Sequence, residues 1–265
     1  MLRLRLGMTT SSYHLPYPAA MNRLLTFLQL LFAGLTIATG PAAAQKIIER
    51  QEALGTNQHV FLHLRPADHI RVRNGTAGQL TFKATVSINQ NKLNDAFVLA
   101  ISRSGDELLV SADLDKEKLR QAAPGDCPDG QRSYYGESWS SDGDGKNHRA
   151  HGVCVAIDYD VAVPPGVDLR ISTLSGDISI TGLRGIIEAK TLSGDVDLSW
   201  PPAQSAELAL KTISGEVYAD PAVAFVNRRD RSVVGYEVRG TWRGSGGPAV
   251  RLESISGNVF FRQQR

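Results

Sequence analysis

Downstream of residue 45, apolar and polar residues alternate with period two in runs too short for helices, broken repeatedly by Gly, Pro, Asn and Asp. Side chains two residues apart share one face of a strand, so such runs predict half-buried β-strands. Strands are expected at His59–Leu64, His69–Val72, Leu80–Ile88, Phe97–Ser102, Glu107–Ser111 and Val153–Val163. The intervening segments Arg65–Asp68, Asn74–Gly78, Asn89–Asn94 and Arg103–Asp106 carry residues that accept turn dihedrals. From Lys116 to Ala150 the alternation lapses into an irregular insertion rich in Gly, Ser and Asp, in which Tyr134, Tyr135 and Trp139 are embedded.

The C-terminal part repeats one unit: Thr173-Leu-Ser-Gly-Asp-Ile178, Thr191-Leu-Ser-Gly-Asp-Val196, Thr212-Ile-Ser-Gly-Glu-Val217 and Ser254-Ile-Ser-Gly-Asn-Val259. Its glycines, Gly176, Gly194, Gly215 and Gly257, are 18, 21 and 42 residues apart. The last interval is two periods, which predicts a degenerate copy at Val233–Val238. A period of about 20 residues with short strands marks a β-solenoid or a related stacked sheet. Parity places Leu174, Gly176, Ile178 and Ile180 on one face, with their equivalents in each copy, and these are expected to point inward. Thr, Ser and the acid are expected to point outward. If consecutive units stack in register, they lie ~4.8 Å apart and form a serine row and an acid row of Asp177, Asp195 and Glu216. Such carboxylates repel unless they are solvated, staggered or neutralised. The predicted fold is all-β: a stacked β-solenoid-like repeat over 166–265, preceded by a short-strand β region over 45–165.

Residues 1–44 form an N-terminal extension and signal peptide by the same reading. Met21-Asn22-Arg23 opens a positive region, the apolar run Leu24–Thr39 is shorter than the ~20 residues that span a bilayer, and Ala42-Ala43-Ala44 supplies the small residues of a cleavage site before Gln45. No cysteine follows the run directly, which argues against a lipid anchor, and no later run is long enough for a transmembrane helix. Of the 29 basic and 27 acidic residues, Arg3, Arg5 and Arg23 but no acid precede Gln45, so a chain cut there has a net charge of −1. Nucleic-acid binding needs a concentrated basic face and is not expected. The two cysteines, Cys127 and Cys154, are expected to form a disulfide in a periplasmic or secreted protein.

The Thr-Leu-Ser-Gly-Asp-Val units, following an export signal and a β-rich leader, resemble the bacterial β-strand-repeat family of unknown function labelled putative adhesin. The resemblance covers roughly Ser87 to Phe261 and is strongest from Asp168 onwards. It implies a cell-envelope or secreted protein with stacked β architecture and no established catalysis. The chain departs from the pattern at Ala222–Gly247, where Arg228-Arg229-Asp230-Arg231 and Gly244-Ser245-Gly246-Gly247 interrupt it.

Several groups are candidate sites. Asp177, Asp195 and Glu216 are a candidate cation row suited to Ca²⁺, although calcium-binding repeats use denser Gly and Asp spacing. Asp142 begins a loop like an EF-hand, but Lys146, Asn147 and Val153 stand where that loop needs an acid or Asn, a Gly and a Glu. His148, His151 and Cys154 have zinc-like spacing, which a disulfide at Cys154 would remove. Tyr134, Tyr135 and Trp139 are the candidate binding loop, since exposed aromatics stack on sugars or anchor protein partners. No serine has a nucleophile elbow or a repeated histidine, so no catalytic residue and no resident metal or other cofactor is assigned. The function read from the sequence is an exported, non-catalytic binding or structural protein with a surface polysaccharide or envelope protein as partner. The alternatives are a carbohydrate-active enzyme on a β-helix scaffold and an envelope-stress sensor that uses the Lys116–Ala150 insertion.

Overall fold

Along Gln79–Ile88 burial alternates at every position, with Leu80, Phe82, Ala84, Val86 and Ile88 fully buried. That is the outcome the apolar-polar alternation demands of a strand with one face on a core. The computed structural model describes residues 44–55, 58–123, 126–127, 133–135, 140–141, 147–148, 153–226, 230–231 and 235–265. The signal-peptide expectation lies outside them.

In chain order the strands are β1 (Lys46–Ala53), β2 (His59–Leu64), β3 (His69–Asn74), β4 (Gln79–Ile88), β5 (Phe97–Ser104), β6 (Glu107–Leu114), β7 (Ser133–Tyr135), β8 (Ser140–Ser141), β9 (Asn147–His148), β10 (Val153–Val163) and β11 (Asp168–Ser175). They continue with β12 (Asp177–Thr181), β13 (Ile187–Ser193), β14 (Val196–Trp200), β15 (Ala206–Ser214), β16 (Val217–Ala219), β17 (Ala224–Phe225), β18 (Asp230–Arg231), β19 (Tyr236–Trp242), β20 (Ala249–Ser256) and β21 (Val259–Gln263). Two of the expected spans, His59–Leu64 and Val153–Val163, coincide with β2 and β10, and the others are extended by one to three residues. The β1 strand was not expected from the sequence. A single helical turn, α1 (Lys116–Leu119), opens on Asp115, whose carboxylate accepts from the backbone N–H groups of Glu117 and Lys118. No helix among the described residues is long and apolar enough to cross a membrane.

Two main sheets enclose the core. The first runs β1-β4-β10-β3-β12-β14-β21-β16 and the second β17-β19-β15-β20-β13-β11-β2-β6-β5. Their centres are parallel: β10 to β16 in the first sheet and β6 to β15 in the second. Antiparallel strands flank these centres, with β4 and β1 beside β10, β5 beside β6, and β19 beside β15. Each repeat is an arch, in which a strand of the second sheet turns a sharp corner into a strand of the first. The pairs β2/β3, β11/β12, β13/β14, β15/β16 and β20/β21 are built this way. Between the sheets Ile171, Ile178, Ala189, Leu198, Leu252 and Phe261 are buried, and Trp242 meets Phe261 edge-on at 5.8 Å.

The arches do not stack in sequence order. The last one, β20/β21, lies between β13/β14 and β15/β16, and β2/β3 lies between β6/β10 and β11/β12. This corrects the expected consecutive rows. The degenerate copy expected at Val233–Val238 is not an arch: Tyr236–Trp242 runs antiparallel to β15, and residues 232–234 lie outside the described ones. The sheets also run across the boundary expected at 165/166, because β2 and β3 pair with β11 and β12.

Candidate functional site

The repeated Thr-x-Ser-Gly-acid residues converge at the corners of the arches, and the geometry there explains each one. Thr173, Thr191, Ser254 and Thr212 are buried, against the expectation that this parity faces solvent. A buried hydroxyl must be satisfied. Thr191 donates to the Gly176 carbonyl at 3.3 Å, Ser254 to Gly194 at 2.8 Å, and Thr212 to Gly257 at 2.8 Å, each reaching into the neighbouring arch. Thr173 donates to the Ser175 carbonyl at 2.7 Å.

The glycines permit the approach. A Cβ on Gly194 would stand 2.3 Å from the Gly176 carbonyl oxygen, one on Gly257 2.1 Å from that of Gly194, and one on Gly215 2.0 Å from that of Gly257. Gly194 also has φ +138°, a conformation that L side chains rarely adopt. The close neighbour is thus backbone rather than a side chain.

The acid row is a hydrogen-bonded ladder in the order Asp177, Asp195, Asn258, Glu216. Asp177 Oδ1 accepts from the Asp195 N–H at 2.9 Å, Asp195 Oδ1 from Asn258 at 2.7 Å, and Asn258 Oδ1 from Glu216 at 3.0 Å. At the outer end Tyr236 Oη donates to Glu216 Oε2 at 3.2 Å. The three acids of the candidate cation row are therefore not consecutive, since Asn258 separates Asp195 from Glu216. Among the described residues no group of three or more His, Cys, Asp and Glu is placed to hold a metal ion. Ser175, Ser193, Ser256 and Ser214 do align in one row.

The corner also reverses the expected parity. Ile178, Ile180, Val196, Leu198, Val259 and Phe261 point inward as expected, but Leu174 and Leu192 are 45% and 46% exposed. The Ser-Gly step switches sheets, so alternation cannot be counted through it.

Cys127 and Cys154 form the expected disulfide, with Cα atoms 5.3 Å apart, which removes Cys154 from the zinc reading. In the candidate binding loop, Tyr134 and Tyr135 lie on β7, which pairs with β10 through Tyr135↔Val153, and their side chains lie outside the description. Trp139, the loop from Asp142 to Lys146, and His151 fall outside the described residues.

Two surface features escaped the sequence reading. On the second sheet Glu253 sits between Lys211 (3.0 Å) and Lys190 (3.5 Å). Burial alone would raise its carboxyl, but the hydrogen bond from Lys211 and the charge of Lys190 outweigh burial and hold it below its ordinary value. On the first sheet Tyr218 and Phe260 stack with ring centres 5.0 Å apart and planes 9° from parallel. The Arg262 guanidinium lies 4.5 Å from the Phe260 centroid, and its Nε is 3.2 Å from Asp197 Oδ1. Burial pushes the Asp197 carboxyl up by more than Arg262 draws it down. These rings border a groove of about 830 Å³ that is also lined by Ser199, Asp220 and Gln263. The signal was present in the repeat alignment: the third position after each Gly is Ser179, Asp197, Tyr218 and Phe260, so only two of the four copies carry an aromatic there.

A family model described as Toastrack DUF4097 matches residues 67–260. The chain belongs to the Toastrack DUF4097 family. The matched span takes in β3 to β20 and leaves out β2 of the first arch and the residues of β21 from Phe261 onwards. The family is one of unknown function, and the expected resemblance to adhesin-labelled repeat proteins holds at that level. Among solved structures, the Toastrack chain is similar to a protein from Clostridium sporogenes named a putative cell adhesion protein, at 9% identity and TM-score 0.44, covering 83% of this chain and 100% of that one. It is also similar to a putative adhesin from Bacteroides fragilis, at 9% identity and TM-score 0.22, covering 84% and 100%. No curated protein matches the sequence.

Proposed function

We propose that this Toastrack protein is an exported, non-catalytic component of the cell envelope whose arch stack is a rigid scaffold for binding a surface polymer or an envelope protein. One observation carries the reading: the repeated polar side chains, which are the obvious candidates for chemistry, hold the arches to one another. The Thr hydroxyls donate to glycine carbonyls and the Asp and Asn oxygens accept neighbouring N–H groups. Binding is thereby left to the outer faces and to the Cys127–Cys154 insertion. The apolar run Leu24–Thr39 with Ala42-Ala43-Ala44 after it supports export.

The test is a thermal-shift screen of the purified protein against envelope polysaccharides, Ca²⁺ and envelope protein fractions, with mass spectrometry of every polysaccharide afterwards. Any ligand that prefers the folded state raises the midpoint. A raised midpoint with the polymer left intact is the expected result. Cleaved polymer would overturn the non-catalytic reading, and recovery of the protein from the cytoplasm alone would overturn export.

A further inference from the structure

Among the described residues the two main sheets end in open strand edges, and all but one of these are blunted. β1 carries Lys46, Glu49, Arg50 and Glu52 along its length. β16 is three residues long, and its Val217 N–H donates to Tyr236 Oη at 2.6 Å. At the far end of the second sheet β17 and β18, both paired with β19, have two residues each. Charge, shortness and a plugged N–H all keep an edge from pairing with another chain. β5 has none of these protections. It runs for eight residues without proline, and its one charge, Arg103, is paired with Glu52 at 3.0 Å.

The hydrogen-bond phase of β5 follows from its neighbours. His59 N–H donates to the Asp106 carbonyl and Arg65 N–H to the Ala112 carbonyl, so β6 turns its even-numbered residues to β2 and its odd-numbered ones to β5. Opposite the latter stand Val98, Ala100, Ser102 and Ser104, and the N–H and C=O groups of Leu99, Ile101 and Arg103 therefore point off the sheet. The Phe97 N–H is already taken by the Asn94 carbonyl. The side chains of Leu99 and Ile101 pack on the core but are only half-buried, whereas Leu108, Val110 and Ala112 of β6 are buried.

We propose that β5 is a homodimer interface, at which two copies of this chain pair antiparallel about a two-fold axis at Ala100 and join their second sheets into one. In that register Leu99 exchanges hydrogen bonds with the partner's Ile101, and Ile101 with the partner's Leu99, which prolongs the aliphatic inner layer and covers it. On the outer side Val98 meets the partner's Ser102 and Ala100 the partner's Ala100, while Arg103 comes opposite the partner's Phe97. No like charges are opposed. The strand is its own complement, as a closed two-fold interface requires, and the pairing is independent of what the scaffold binds.

The experiment is analytical ultracentrifugation of the purified protein over a concentration series, repeated with Ala100→Lys, Ala100→Glu and an equimolar mixture of the two. A concentration-dependent dimer is expected, weakened about tenfold or more in each variant and recovered in the mixture, where unlike charges face each other across the axis. Ala100 is exposed, so both variants are expected to melt close to wild type, which separates lost pairing from lost folding. Hydrogen exchange at the Leu99 and Ile101 amides is expected to slow as the dimer forms. A chain that stays monomeric at every concentration overturns the proposal, and so does a dimer that both variants leave unchanged. Weakening in both variants without recovery in the mixture overturns the register about Ala100. Slowed exchange at these amides only when an envelope protein fraction is added would assign the edge to a foreign strand and overturn the second copy.

Discussion

Replacing Gly194 by Ala tests the corner directly. The added methyl would lie 2.3 Å from the Gly176 carbonyl oxygen, 2.6 Å from its carbon and 3.1 Å from Asp177 Oδ1, whereas ordinary contact begins at 3.4 Å. The obstacle is backbone, so no rotamer change relieves it, and Gly176 is itself pressed on the Ala67 carbonyl of the next arch. Two costs follow. Holding a non-glycine residue at φ +138° costs ~1–3 kcal/mol. Overpacking adds ~1–3 kcal/mol, for a loss of ~2–6 kcal/mol against typical total stabilities of ~5–15 kcal/mol. Two controls divide the costs. Gly105 has φ +57° with nothing within 4 Å of the added Cβ, so Gly105→Ala bears only the conformational cost. Gly166 has open space and no positive φ, so Gly166→Ala is expected to be neutral or to stabilise by ~0.4–1 kcal/mol. Equilibrium urea unfolding of all three would rank them. A Gly194→Ala loss no larger than that of Gly105→Ala would refute the close-approach explanation of the repeat glycine.

Three further outcomes are expected. Asp195→Ala removes the acceptor for the Asn258 N–H and is expected to lose ~1–2 kcal/mol by denaturant unfolding, while Asp195→Asn keeps an acceptor and loses less; equal losses would contradict the ladder. Reducing the Cys127–Cys154 bond, which closes a separation of 27 residues, is expected to cost ~3 kcal/mol, seen as a lower thermal midpoint with reductant and no shift in Cys127→Ser/Cys154→Ser. Because the Glu253 carboxyl titrates below its ordinary 4.5 in the folded protein, its stabilising effect is present above that pH and is lost as pH falls through the lowered value. Glu253→Gln should therefore be less stable than wild type at neutral pH and indistinguishable from it in strong acid; a difference that persists in acid would rule out the ion pairs as its cause.

The strands were legible because period-two burial is a local signal, and Val153–Val163 was read to the residue. Cys127 with Cys154 was legible from compartment and number alone. The order of the arches was not. Near-identical units carry similar edges, so Ser254–Val259 fits beside Thr191–Val196 as well as the next unit in sequence does. One clue lay in charge, since placing Asn258 between Asp195 and Glu216 separates two carboxylates that consecutive stacking would set side by side. Leu174 and Leu192 were misplaced because a strand pattern was carried through a glycine that turns the chain from one sheet to the other. The Tyr218–Phe260 pair became visible only with the order, because these residues are 42 apart in the chain and meet only when β21 lies beside β16.

Most solenoids are modular chains that lengthen or shorten one unit at a time and fold from any point along their axis. The insertion of β20/β21 between two earlier arches makes the C-terminal segment a keystone. The β15/β16 arch has no place to dock until the rest of the chain has been synthesised, so assembly at that end waits for the last strands and proceeds through contacts distant in sequence, which slow folding. Evolution is constrained in the same way: duplication of a unit is accommodated in the run from β11 to β14, where sequence order and spatial order agree. At either end it would have to be threaded through a lock.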